Sequence, residues 1–419
     1  MVKKDSLNIA YICWEFPPII YGGLGVYARD LTKEMVKAGH NLTVFTTNDE
    51  RNYPVKSKWN GIDVYRPEYT SIKTSIPPFL SENILGWGEG GIAFLSDMLC
   101  FNHAVSILIK SLNEKKKFDI IVAHDWLDLP GGIAAKEATG LPLVYHVHAT
   151  EVGRSLGNPT WELVNLELIG GREADRVITV SYAMKDEMTT TGFSEEKIRV
   201  CHNAVDTHIF DPKRVKKDRK EKLKKEFDIK KDETVLFYVG RLEPMKGVDN
   251  LVSAMPIVLK EHPDTKLIIL GRGTLEDKIK SMCQELRIED KVILDTRFVD
   301  DEAKIHYYAI ADCCIFPSLY EPFGIVALEA MAMEKPLVVG AHGTSGLRES
   351  VIIPPSKNAT GMHIDPNRPD DIAWGINTVL EDEDRAKIWG RNGRKRVLEN
   401  FTPSKIAEKT LGFYKEIVH

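Results

Sequence analysis

The chain has 419 residues, 43% of them apolar and 28% charged, with 30 Gly and 21 Pro. Single hydrophobic cores stop growing near roughly 250–300 residues, so this length calls for two or three domains. Lys and Arg number 56 against 61 Asp and Glu, a net charge of −5, which removes any global case for nucleic-acid binding, since such domains carry a strong basic excess.

The first residues lack the apolar core of a secretory signal, and the short apolar run that follows reads as a strand. No window reads as reaching the ~20 apolar residues of a membrane span. Six cysteines, at 13, 100, 201, 283, 313 and 314, have no C-x-x-C spacing. That pattern points to a reducing, cytoplasmic compartment and to no structural metal.

Short apolar runs then alternate with longer amphipathic ones, the pattern of βαβ units and a parallel sheet. Strands are predicted over 8–14, 42–46, 119–123, 143–147 and 177–180. A second series covers 234–239, 266–270, 292–294, 313–316 and 337–339. Both series open alike, with a strand, a glycine-bearing turn, a helix (to Lys37 in the first, 248–260 in the second) and another strand. The predicted architecture is α/β, two doubly wound Rossmann-like domains facing across a cleft. Ligands of such sheets sit beyond the carboxyl ends of the strands.

The predicted boundaries are a first domain over 1–210, a basic linker helix over 211–232, a second domain over 233–400 and a C-terminal helix over 401–419, free to cross back to the first domain. The linker assignment rests on 11 Lys or Arg against 5 Asp or Glu between Asp211 and Lys231. Helices are predicted over 371–380, 385–399 and 403–417.

Residues 316–331 carry the strongest chemical signal. A buried strand ends at Phe316, a loop holds Glu321, and a helix starts near Gly324. The N–H groups of Gly324, Ile325 and Val326 would have no intrahelical acceptor and would form an anion site. Glu321 and Glu329 flank that terminus, on the order of 10 Å apart at ~1.5 Å per helical residue. A nucleotide diphosphate sugar fits this span, with its sugar on Glu321, its phosphate on the amides and its ribose on Glu329. Arg241 and Lys246, on the glycine-bounded loop after the 234–239 strand, can clamp the diphosphate and stabilise it as it leaves.

Three further places bear on the reaction. Gly22 and Gly23 open the first predicted helix and allow close backbone approach. His124, Asp125 and His148 follow two neighbouring strands, without the spacing of a metal site. The acidic run 382–384 lies between helices and reads as surface, so no bound metal is expected.

These motifs, from Glu15-Phe-Pro-Pro to about Asp365, resemble retaining glycosyltransferases of the GT-B fold, families 4 and 5, the group that includes glycogen and starch synthases. The resemblance implies that Arg241 and Lys246 hold the donor diphosphate. It also implies that Glu321 contacts the transferred sugar, assisted by amides at 324–326, and that Glu329 contacts the ribose. His148 would contact the donor sugar, Gly23 the phosphates, and Asp125 would lie in the acceptor region. Ile20 stands where bacterial glycogen synthases carry Lys, and Thr344-Ser345-Gly346 stands where they carry Thr-Gly-Gly. Thr344 is therefore placed near the acceptor, and the whole is closer to the broader family 4 pattern.

The expected activity is a metal-independent, retaining transfer of a hexose, glucose, from UDP-glucose or ADP-glucose to a glucan or other sugar acceptor, with no cofactor. The alternatives are a family 4 transferase acting on a lipid or small acceptor at the membrane, and a nucleotide-sugar epimerase on the same fold. The membrane reading draws on the basic run and on the apolar segment 77–80.

Overall fold

The computed structural model describes residues 6–48 and 53–418. The chain forms two compact units, Met1–His202 with Pro403–His419, and Asn203–Thr402.

The first unit carries an eight-stranded sheet in the order β3-β4-β2-β1-β5-β6-β7-β8. Its strands are β1 (Asn8–Ile12), β2 (Asn41–Phe45), β3 (Lys56–Trp59), β4 (Ile62–Tyr65), β5 (Ile120–His124), β6 (Leu143–Val147), β7 (Arg176–Thr179) and β8 (Ile198–Val200). Every pairing is parallel except the β3–β4 hairpin. The strands β5 and β6 are buried at every position, as expected when helices cover both faces of a parallel sheet. Strand order reverses between β1 and β5, so the carboxyl ends of these two strands form the switch point where ligands of doubly wound sheets bind.

The second unit carries a six-stranded parallel sheet in the order β11-β10-β9-β12-β13-β14. Its strands are β9 (Thr234–Val239), β10 (Thr265–Leu270), β11 (Val292–Asp295), β12 (Cys313–Phe316), β13 (Leu337–Gly340) and β14 (Gly361–Ile364). Here the order reverses between β9 and β12, which brings the Arg241 loop and the Glu321 loop to one switch point.

Several sequence expectations differ from this architecture. The first unit ends at His202 rather than at 210, and the basic segment belongs to the second unit. Its helix, Lys217–Glu226, packs on the Asp301–Ile310 helix and buries Leu223, while Phe210 and Ile229 are buried on either side. A charge count cannot register three anchoring apolar residues among so many lysines. The β3–β4 hairpin, β8 and β14 went unpredicted, being short or, in Lys56–Trp59, mostly polar.

The membrane expectation also changes. The Gly88–Lys116 helix has 29 residues and is long and apolar enough to cross a membrane by length and composition. Asp97, Asn102 and His103 interrupt the run and hid it in the sequence. In the fold, its Met98, Phe101, Val105 and Ile109 are buried and it packs on the Asp125–Thr139 helix. The closing helix, Pro403–Tyr414, packs on the Gly23–Lys37 helix of the first unit and buries Ile406, Ala407, Leu411 and Tyr414.

Candidate functional site

At the second unit's switch point, β9 runs into Gly240 and the exposed Arg241, and a single helical turn, Pro244–Lys246, follows. Gly247 has φ +62°, and a Cβ there would lie 2.1 Å from the Pro317 carbonyl oxygen, so only glycine lets the two loops meet. That contact brings Lys246 Nζ within 2.6 Å of Glu321 Oε2, with both side chains more than four-fifths buried. The same oxygen accepts from Ser318 Oγ at 3.2 Å. Tyr238 donates its hydroxyl to the Arg241 carbonyl at 3.0 Å, and burial raises its phenol pKa. No ion pair engages the Arg241 guanidinium among the described residues.

Gly324 sits at φ +90° and caps the Ile325–Ala332 helix. This turn leaves the 324–326 amides at the positive end of the helix, with no backbone acceptor among the described residues. Thr344 lies on the adjoining loop. Its carbonyl accepts from the Glu321 amide at 3.3 Å, and Gly346 N–H donates to the Glu321 carbonyl at 2.9 Å. Thr344 is therefore part of the wall that holds Glu321.

Glu329 differs from Glu321 in being turned into the core. Its two oxygens accept from Lys304 Nζ at 3.1 Å each, and Oε2 also accepts from the Tyr308 hydroxyl at 2.8 Å. Burial raises its pKa despite the neighbouring Lys304, and Glu329 and Asp301 raise that of Lys304 against the effect of burial. Oε1 retains a lone pair beyond the Lys304 bond. Sequence reasoning did not find Ser318, Lys304 or Tyr308, whose roles depend on tertiary contacts.

In the first unit, Gly22 is extended and Gly23 opens the Gly23–Lys37 helix; both are exposed. Glu15 accepts from the amides of Tyr21 at 2.6 Å and Gly22 at 2.9 Å and closes this loop. Gly25 is the more tightly packed, where a Cβ would lie 2.8 Å from Glu15 Oε2 and 3.1 Å from Ile20 Cγ2.

His124 and His146 are paired in register on β5 and β6, and His148 follows one residue after β6. The imidazoles of His124 and His148 join through Nδ1 and Nε2 at 3.1 Å. His146 Nδ1 meets the Tyr27 hydroxyl at 3.3 Å, and its Nε2 meets the Tyr414 hydroxyl at 2.9 Å. Burial lowers the pKa of all three imidazoles, and mutual repulsion adds to this for His124 and His146. Asp125 accepts from the His148 backbone N–H at 2.7 Å, which ties it to His148 directly.

The three histidines each offer a nitrogen within 4.8 Å of the others, a spacing at which one metal ion could be held. The sequence showed no such set because the ligands come from two strands; alternate positions 146 and 148 beside a strand ending in His124 were the available signal. Both nitrogens of His146 are engaged by tyrosine hydroxyls, so an ion would have to displace one of those bonds.

Residues 219–396 match the family model of glycosyl transferases group 1, and residues 21–209 match that of glycosyltransferase family 4. An uncharacterised glycosyltransferase of Methanocaldococcus jannaschii is 32% identical over 98% of both chains. A glycogen synthase of Mycobacterium tuberculosis is 30% identical over 97% of this chain and 94% of its own. Among solved structures, Anabaena HepE in complex with UDP and glucose shares the fold with a TM-score of 0.73 at 20% identity, covering 98% of this chain and all of its own. With two Rossmann-like units and family matches along nearly its whole length, the chain belongs to the family 4, group 1 glycosyltransferases of the GT-B fold.

Proposed function

We propose that the protein transfers a hexose, glucose, from a nucleotide diphosphate sugar to a glucan or other sugar acceptor, with retention of configuration and without a metal or other cofactor. The carrying observation is the second unit's switch point, where Lys246 pairs with Glu321 beside the positive end of the Ile325–Ala332 helix, and Arg241, without an ion-pair partner among the described residues, stands on the same loop as Lys246. Support comes from a relative named as a glycogen synthase and from a structural neighbour solved with UDP and glucose.

In this reading Arg241 and Lys246 take the diphosphate oxygens and the 324–326 amides take the remaining charge. Lys246 is held on Glu321 at 2.6 Å until the donor arrives. A phosphate oxygen then replaces the carboxylate on Lys246, and Glu321 is freed to accept from sugar hydroxyls. Charge on the departing diphosphate grows in the transition state, so preorganised cations lower the barrier. Glu329 accepts from the ribose through Oε1, Gly22 and Gly23 leave room for the phosphates, and His148 contacts the donor sugar.

The test is transfer from a panel of nucleotide sugars to glucan primers, preceded by thermal-shift ranking of the donors. Charge-assisted hydrogen bonds are worth roughly 1.5–3 kcal/mol, so Lys246→Ala and Glu321→Ala should lose about 10- to 100-fold in kcat/KM with the fold retained. Wild-type rates in both folded variants overturn the site, and a new epimer formed from donor alone overturns the reaction class.

A further inference from the structure

We propose that His124 is a positioning residue that sets the tautomer of His148, so that His148 offers a protonated Nδ1 outward. This rests on the reading that His148 contacts the donor sugar, but it can fail separately from that reading.

The argument turns on one shared proton. His124 Nδ1 and His148 Nε2 are 3.1 Å apart, and two neutral rings can place only one proton between them. His124 Nε2 is buried and has no hydrogen-bond partner among the described residues. If His148 Nε2–H were the donor, the His124 proton would sit on Nε2, leaving a buried N–H with no acceptor. Buried N–H groups are rarely left unpaired, whereas a bare acceptor lone pair is better tolerated. The proton therefore lies on His124 Nδ1, His148 Nε2 accepts, and the His148 proton is on Nδ1.

The surroundings hold that arrangement in place. His148 is half-buried, whereas His124 and His146 are fully buried. Asp125 fixes the backbone beneath it by accepting the His148 N–H at 2.7 Å, and does so from φ +50°, a left-handed conformation uncommon outside glycine. Tyr27 packs edge-on against the His148 ring, with centroids 4.6 Å apart. The ring is thus fixed through its backbone, its face and one nitrogen. A donor N–H at the remaining nitrogen suits a sugar hydroxyl or ring oxygen, which accepts.

Nitrogen-15 NMR of the histidine-labelled full-length protein reads the tautomer directly. The expected result is His148 protonated at Nδ1 and His124 also at Nδ1. Protonation of His148 at Nε2, or stoichiometric zinc held by these rings after purification in zinc-containing buffer, overturns the proposal. Kinetics supply a second arm. His124→Phe removes the bond and keeps the ring, and should lower kcat about tenfold with donor KM little changed. His124→Asn, whose amide can donate from nearly the same position, should restore most of the loss. Equal kcat in wild type and a folded His124→Phe overturns the positioning role. Full activity in a folded His148→Ala overturns instead the assignment of His148 to the sugar, while the NMR result still decides the tautomer.

Discussion

Glu167, on the Trp161–Glu173 helix, shows how a single buried carboxyl couples stability to pH. Its oxygens accept from the Glu151 amide at 2.9 and 3.1 Å and lie 3.3 Å from Arg154, which anchors the turn just beyond His148. Burial outweighs Arg154 and pushes its pKa up to about 8. A carboxyl raised in the folded state stabilises the fold fully below its unfolded pKa, near 4.5, and that contribution is lost as pH rises through about 8. The slope cannot exceed ~1.4 kcal/mol per pH unit. Denaturant titrations of the wild type should therefore lose stability between pH 5 and 8, and Glu167→Gln should flatten that slope. An unchanged slope in the variant would show that other groups carry it.

The site was partly legible at this scale. That Glu321 and Gly324 share one strand-to-helix loop, and Arg241 and Lys246 another, could be read because such loops are local in sequence. The bond from Asp125 to His148 and the His124–His148 pair did not, because they depend on the register of β5 with β6. Nor did the sequence reveal that Lys246 and Glu321 touch, since that contact requires Gly247 to pass against Pro317.

Between elements, the contact of the Gly88–Lys116 helix with the Asp125–Thr139 helix repairs a defect. Pro130 lies inside the second helix and has no N–H, so the ladder is broken there. The Asn102 side chain bridges the gap, taking the Gly131 N–H on Oδ1 at 2.7 Å and donating Nδ2 to the Leu127 carbonyl at 2.7 Å. Replacing it with Leu strands a buried N–H and a part-buried carbonyl, each worth about 1–3 kcal/mol. Asn102→Leu should thus lower the unfolding free energy by roughly 2–4 kcal/mol in chemical denaturation, with a loss under 1 kcal/mol counting against the bridge. This helix begins at Asp125, so the repair also steadies the His124–Asp125 corner.

Elements buried on both faces, such as Cys313–Phe316 and Leu337–Gly340, were readable as apolar runs. Lys56–Trp59 was not, because an edge hairpin alternates toward solvent and carries lysines. The Gly88–Lys116 helix was missed because its polar residues, Asn102 among them, serve a neighbouring helix rather than its own pattern.

At the scale of the molecule, the first unit is assembled from both ends of the described chain, with Tyr414 completing the partners of His146. Fully burying a large apolar side chain is worth about 1.5–3 kcal/mol, so removing residues 403–419 should cost the first unit several kcal/mol. Hydrogen exchange should show β1, β5 and β6 losing protection while β9, β10 and β12 keep theirs. Uniform loss across both sheets would mean that the units do not unfold separately.

The same return of the last helix has a consequence during synthesis. At about 5–20 residues per second, the ribosome spends on the order of 10–40 s making residues 203–402 after the first sheet's strands have emerged. Throughout that interval Tyr27 and His146 lack their cover, whereas the second unit has all of its own sequence before residue 403 is added. The first unit thus waits longest for its last element, and the nascent first half is the stretch with apolar surface for a chaperone to hold.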